Sequence, residues 1–94
     1  PAEIERLLLL HPEIAQVAVI GVPDERLGEA GYAYVIPSSG TVPDSAEIIS
    51  WARENMANFK APKYVEVVDE LPLNASGKVL KFELRDRALR SIES

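Results

Sequence analysis

Residues 14–36 decide the fold: Ile14-Ala15-Gln16-Val17-Ala18-Val19-Ile20-Gly21-Val22, a charged, glycine-punctuated stretch from Asp24 to Gly31 that reads as a loop, then Tyr32-Ala33-Tyr34-Val35-Ile36. In the first run apolar side chains fall at consecutive positions and β-branched residues dominate. That pattern predicts a strand buried on both faces. Gly21-Val22-Pro23-Asp24 is expected to break the strand and begin a turn. In the second run Tyr32, Tyr34 and Ile36 share one face while Ala33 and Val35 share the other. A sheet of such strands needs a cover of helices.

The flanking segments offer those helices. Before the first strand, Ile4, Leu7 and Leu8 make one apolar face with Glu3, Glu5 and Arg6 outside, so residues 2–10 read as a short helix stopped by Pro12. Pro1 suits a first helical position, and a helix opening with nothing before it suggests a piece of a longer protein. After the second strand, Pro37 to Gly40 is a loop. Asp44 can then cap a helix, with Glu47 reaching back three residues later. Ile48, Ile49, Ala52 and Met56 form the inward stripe of that helix, Trp51 borders it, and it should fade near Asn58. Phe59-Lys60-Ala61-Pro62-Lys63 is a connector, and Tyr64 to Val68 reads as a third strand. Residues 79–92 form a terminal amphipathic helix, or a short strand and a helix, with Leu84, Ala88, Leu89 and Ile92 at helical spacing. The order α-β-β-α-β-loop-α predicts an α+β fold, a small three-stranded sheet packed with helices.

The totals limit the function. Ninety-four residues make one small domain, too small for a self-contained enzyme with a deep two-substrate cleft. Cysteine is absent and His11 is the single histidine, which argues against a disulfide framework and a zinc site. No run approaches a membrane span. The absence of a signal-peptide pattern fits a cytoplasmic protein. The net charge of −5 is unevenly spread: residues 1–59 carry three basic and nine acidic side chains, residues 60–90 seven basic and five acidic. An acidic body with a basic end argues against nucleic-acid binding and suits a local site for a small phosphorylated ligand.

Within the basic end, Leu71-Pro72-Leu73-Asn74-Ala75-Ser76-Gly77-Lys78 is a tight polar loop carrying a lysine at its close. From residue types alone, Lys78 reads as a solvated surface lysine or as a catalytic cation on a reachable stem. Trp51 and Met56 read as core, His11 as a helix-end residue interacting with terminal carbonyls, and the carboxylates of residues 1–29 as a solvated face.

Five pieces, in order, resemble the small C-terminal domain of the adenylate-forming enzymes, which include acyl-CoA synthetases, aryl-CoA ligases, luciferases and peptide-synthetase adenylation domains. They are Pro1-Ala2-Glu3-Ile4-Glu5, Val17 through Asp24, Gly28-Glu29 with Ala33-Tyr34-Val35, Phe59 through Lys63, and Leu71-Pro72 through Gly77-Lys78. The Phe-Lys-x-Pro-Lys connector resembles that of CoA ligases acting on fatty acids or related carboxylic acids. The resemblance implies that residues 1–94 are a C-terminal lid domain, without the hinge and the N-terminal AMP-binding domain that would be its partner, and inactive alone. It implies ATP and coenzyme A as substrates, with magnesium accompanying ATP and held mainly by the larger domain.

By the same resemblance Lys78 is the lysine of the family's final motif, supported by Pro72, Ser76 and Gly77, and serves acyl-adenylate formation. Phe59, Lys60, Lys63 and Arg53 would meet the CoA nucleotide after the domain rotates; Ala61 departs from the arginine of some aryl-CoA ligases. The lysine motif also resembles sites silenced by a lysine acetyltransferase. Two other uses of the fold stay open at this stage: a peptide-synthetase subdomain that loads a carrier protein, and a stand-alone binding module without enzymatic activity.

Overall fold

The computed structural model describes residues 2–24, 28–56 and 61–93. The elements run α1 (Ala2–Leu8), β1 (Ile14–Asp24), β2 (Gly28–Pro37), α2 (Ser45–Asn55), β3 (Tyr64–Val67) and α3 (Lys81–Glu93). The strands form one sheet in the order β1-β2-β3. β1 and β2 pair antiparallel as a long hairpin, with Val19 opposite Ala33 and Asp24 opposite Gly28. β3 lies parallel to β2, with Tyr32 opposite Tyr64. A parallel neighbour requires a crossover, and α2 is that crossover.

Strand alternation divides the core as the sequence pattern requires. Ala18, Ile20, Val22, Ala30, Tyr32 and Tyr34 meet Leu84 and Ala88 of α3 on one face. Val19, Ala33 and Val35 meet Leu8 of α1 and Ile48 and Ala52 of α2 on the other. Trp51 and Met56 pack at the border of this second cluster, as expected of core residues. The three tyrosines brace the first face: Tyr32 packs against Tyr34 and Tyr64 with ring centroids 5.0 and 5.3 Å apart. The Tyr34 hydroxyl donates to the Leu84 carbonyl at 3.2 Å and the Tyr32 hydroxyl to Glu66 Oε1 at 2.7 Å. Burial raises the pKa of both phenols above the ordinary tyrosine value.

Several boundaries differ from expectation. β1 does not break at Gly21 but continues through Pro23 to Asp24. It is an edge strand, and an edge tolerates a proline because its outer side has no neighbour to bond. The stretch from Asp24 to Gly31 is accordingly not all loop, since β2 begins at Gly28. The second helix ends at Asn55 rather than near Asn58. There the Met56 amide still donates to the Ala52 carbonyl at 2.9 Å, and the Asn55 side chain donates to the Trp51 carbonyl at 2.8 Å. Its start agrees: Asp44 caps it, accepting from the Ala46 amide.

The carboxylates of residues 1–29 are not a uniformly solvated face. Glu5 Oε2 accepts the backbone N–H of Val19 at 2.8 Å and pairs with Lys81 Nζ at 2.8 Å. Asp24, whose side chain is only 4% exposed, pairs with Lys63 Nζ at 3.1 Å. Both escape a reading by periodicity because their partners lie on other elements. The edge-strand amide of Val19 needs an acceptor, and Glu5 supplies it.

Candidate functional site: the lysine loop

The segment between β3 and α3 is a miniature hairpin closed by its own hydrogen bonds. Leu71 is buried and roots it in the core beside Leu84. The Leu80 amide donates to the Pro72 carbonyl at 2.9 Å, and Leu73 and Val79 form an isolated antiparallel bridge. At the tip, Asn74 does most of the closing. Its amide donates to the Lys78 carbonyl at 2.9 Å and its carbonyl accepts from Gly77 at 3.0 Å. Its side-chain Oδ1 accepts from the amides of Ser76 and Lys78, each at 2.9 Å. Gly77 turns the chain at φ +84°, a left-handed conformation that residues with a Cβ adopt at a cost.

This brace leaves Lys78 exposed. Among the described residues no carboxylate lies within ion-pair distance of its amine. The local backbone is therefore ordered while the ammonium stays available to an anion arriving from outside. Leu73 and Phe82, 55% and 68% exposed, flank the loop with apolar surface. Beside it, Val19, Ile20, Gly21, Glu29, Lys81, Phe82 and Arg85 line an open groove of about 400 Å³. Gly21 has a steric reason to lack a side chain, because the Glu29 carboxyl carbon occupies a point 2.4 Å from where a Cβ would sit.

Pro72, Ser76, Gly77 and Lys78 thus come together in one loop. The residues expected at a CoA nucleotide are dispersed by comparison. Arg53 is exposed in the last turn of α2. Lys63 sits just before β3, its amine on Asp24 and 5.6 Å from the centroid of the Tyr64 ring. Phe59 and Lys60 lie outside the described residues. Sequence reasoning missed Asn74 as an organiser. The available signal was an asparagine two residues before a small polar residue, the pattern of a side chain that bonds its own backbone two positions on.

A second cluster, His11, Glu13 and Glu47, brings three possible metal-ligand atoms within 4.8 Å of one another. The hydrogen bonding of the ring argues against that use. His11 Nδ1 accepts the Glu13 amide at 3.0 Å, so in the neutral ring the proton resides on Nε2, the nitrogen a metal would need bare. The imidazole also packs edge-on against Trp51, with centroids 5.0 Å apart, and closes the core under α2. The expected helix-end position holds through the His11 amide, which donates to the Leu8 carbonyl.

The model of the AMP-binding enzyme C-terminal domain matches residues 3–78, ending on the exposed lysine. The chain belongs to that family. Over 86 residues it is 52% identical to a Mycobacterium tuberculosis protein named 3-[(3aS,4S,7aS)-7a-methyl-1,5-dioxo-octahydro-1H-inden-4-yl]propanoyl:CoA ligase, covering 92% of this chain and 17% of the relative. It is 48% identical to feruloyl-CoA synthase from an Amycolatopsis species, covering 93% of this chain and 18% of the relative. Among solved structures it resembles ATP-bound MatB from Rhodopseudomonas palustris, with a TM-score of 0.84 and 39% identity over 93% of this chain and 17% of that one. This AMP-binding C-terminal domain therefore spans about a sixth of the length of the relatives it matches. The expected α+β architecture agrees with these neighbours. No helix among the described residues is long and apolar enough to cross a membrane.

Proposed function

We propose that this domain is the mobile C-terminal lid of an ATP-dependent, AMP-forming acid–CoA ligase, and that Lys78 supplies the cation for acyl-adenylate formation. The observation carrying the proposal is an exposed amine without a carboxylate partner among the described residues, on a self-braced loop, in a domain of the AMP-binding family. When a carboxylate attacks the α-phosphorus of ATP, two anions converge and charge builds on the phosphoryl oxygens. A positioned ammonium offsets that repulsion most strongly in the transition state. A lysine already committed to an internal ion pair would have to break it first; among the described residues Lys78 has no such pair.

Thioester formation uses a different face. After rotation the lysine withdraws, and Phe59, Lys60, Lys63 and Arg53 meet the CoA nucleotide, Phe59 by stacking and the cations by pairing with phosphate. Lys63 must share its amine between Asp24 and that phosphate. The larger AMP-binding domain provides the acid pocket and holds magnesium with ATP, so the domain alone is inactive, and the intact enzyme works in the cytoplasm. Acetylation of Lys78 by an acetyltransferase would remove the charge and switch the first half-reaction off.

The test is Lys78→Ala in the full-length protein. ATP–pyrophosphate exchange with the cognate acid should fall by about 100-fold or more. Thioester formation from supplied acyl-AMP should remain near wild type, and enzymatic acetylation of Lys78 should reproduce the same split. Equal loss of both half-reactions, or exchange unaffected by the substitution, would refute the role.

A further inference from the structure

Glu5 belongs to the first helix, far in sequence from the lysine loop, yet its carboxylate is the point where three elements meet. Oε2 accepts the Val19 amide of β1 at 2.8 Å and holds Lys81 Nζ, on the first residue of α3, at 2.8 Å. The Glu5 side chain is 21% exposed and that of Lys81 46%, so the pair is partly withdrawn from water. The lysine loop is therefore tied down on both sides of its tip. Leu71 enters from the core. On the exit side, Leu80 is bonded to Pro72 and the next residue, Lys81, is fastened to Glu5.

Leu84 and Ala88 root α3 itself in the core, but without the bond to Glu5 its first residue, and the hairpin that runs into it, could shift relative to β1 while keeping the internal bonds. Closing the loop on itself fixes its shape; the bond to Glu5 adds to the packing of α3 in fixing its direction relative to the sheet. We propose that Glu5 and Lys81 are positioning residues for Lys78, a clamp that aims its amine. This rests on the reading of Lys78 as the adenylation cation and adds α1 to the machinery that presents it. Misplacing a reacting group by about an ångström can cost up to two orders of magnitude, so losing one partly exposed clamp should cost less, about tenfold.

The experiment uses the full-length protein with Glu5→Gln, Lys81→Met, the double variant and Lys81→Arg. Glu5→Gln keeps an acceptor for the Val19 amide and loses only the charge. Both single variants should lower ATP–pyrophosphate exchange by about tenfold through kcat, and thioester formation from supplied acyl-AMP should stay within about twofold. The double variant should be no worse than either single one, and Lys81→Arg should restore exchange. Wild-type exchange in both single variants, beside an inactive Lys78→Ala protein, would overturn the clamp and leave the role of Lys78 standing. So would equal loss of both half-reactions, which marks general destabilisation. Loss in Lys81→Met without loss in Glu5→Gln would show that the Lys81 amine acts on the substrate by itself, and would overturn it as well. Exchange surviving in Lys78→Ala would remove the underlying reading and this inference with it.

Discussion

Replacing Asn74 with alanine should loosen the lysine loop without unfolding the domain. The substitution deletes Oδ1, the acceptor for the Ser76 and Lys78 amides at 2.9 Å, and leaves the backbone bonds of Asn74 to Lys78 and Gly77 in place. A typical hydrogen bond contributes about 0.5–1.5 kcal/mol net, and on this exposed loop water can take up the freed amides, so the two together should contribute about 1–2 kcal/mol. That is a factor of about 5–30 in the ratio of braced to open loop. Amide hydrogen exchange at Ser76 and Lys78 should accelerate by that factor, while exchange in β2 stays as slow as before, because opening here is local. In the full-length protein, adenylate formation should fall by up to the same factor and thioester formation from acyl-AMP should hold. Asn74→Asp, which keeps an acceptor oxygen at the same place, should retain the amide protection. Unchanged exchange at Ser76 and Lys78 in Asn74→Ala would refute the claim that this side chain braces the loop.

Two further outcomes follow from the core and the groove. The raised pKa values of Tyr32 and Tyr34 mean that the unfolded chain ionises its phenols at a pH where the folded chain still holds them neutral. Stability is thus fully present below about pH 10 and falls as pH rises beyond it, and denaturant titrations should show that loss flattened in a Tyr32→Phe, Tyr34→Phe double variant. Gly21→Ala drives a Cβ into the Glu29 carboxylate, which can swing away because it is the end of a flexible side chain. The substitution should therefore lower the melting temperature only modestly, and adding Glu29→Ala should recover the loss; no recovery would place the conflict in the backbone instead.

How much was legible depended on whether a residue's partner was local. The two-faced sheet could be read because alternation at Val17–Val22 and Tyr32–Ile36 follows from strand geometry alone, and the faces separate as that geometry demands. The Asp44 cap is local too. What escaped depended on neighbours supplied by the fold. Pro23 looks like a strand breaker until β1 is known to be an edge. Glu5 and Asp24 look like solvated carboxylates until α3 and the connector before β3 bring Lys81 and Lys63 to them. Asn74 was visible as a turn residue, but its four hydrogen bonds depend on the loop folding back to Lys78.

The two lysines singled out for opposite halves of the reaction stand in contrasting electrostatic states. Lys78 is held by its backbone and offers its amine outward; Lys63 has its amine on a nearly buried carboxylate. If the two lysines have the roles proposed above, that contrast is useful in an adenylating geometry. An open cation near the lysine loop attracts the converging anions, whereas a second open cation on the connector would bind phosphate in competition with the productive arrangement. On the proposed reading, the Asp24 pairing would keep Lys63 from doing so until a phosphate is brought close enough to share it. Because the Asp24 carboxylate is nearly buried, taking its cation away would strand a charge, so a phosphate has to share the amine rather than replace the carboxylate. The pairing with Asp24, which leaves about half of the Lys63 side chain exposed, would therefore give a resting place to a cation that the proposed reaction sequence uses second.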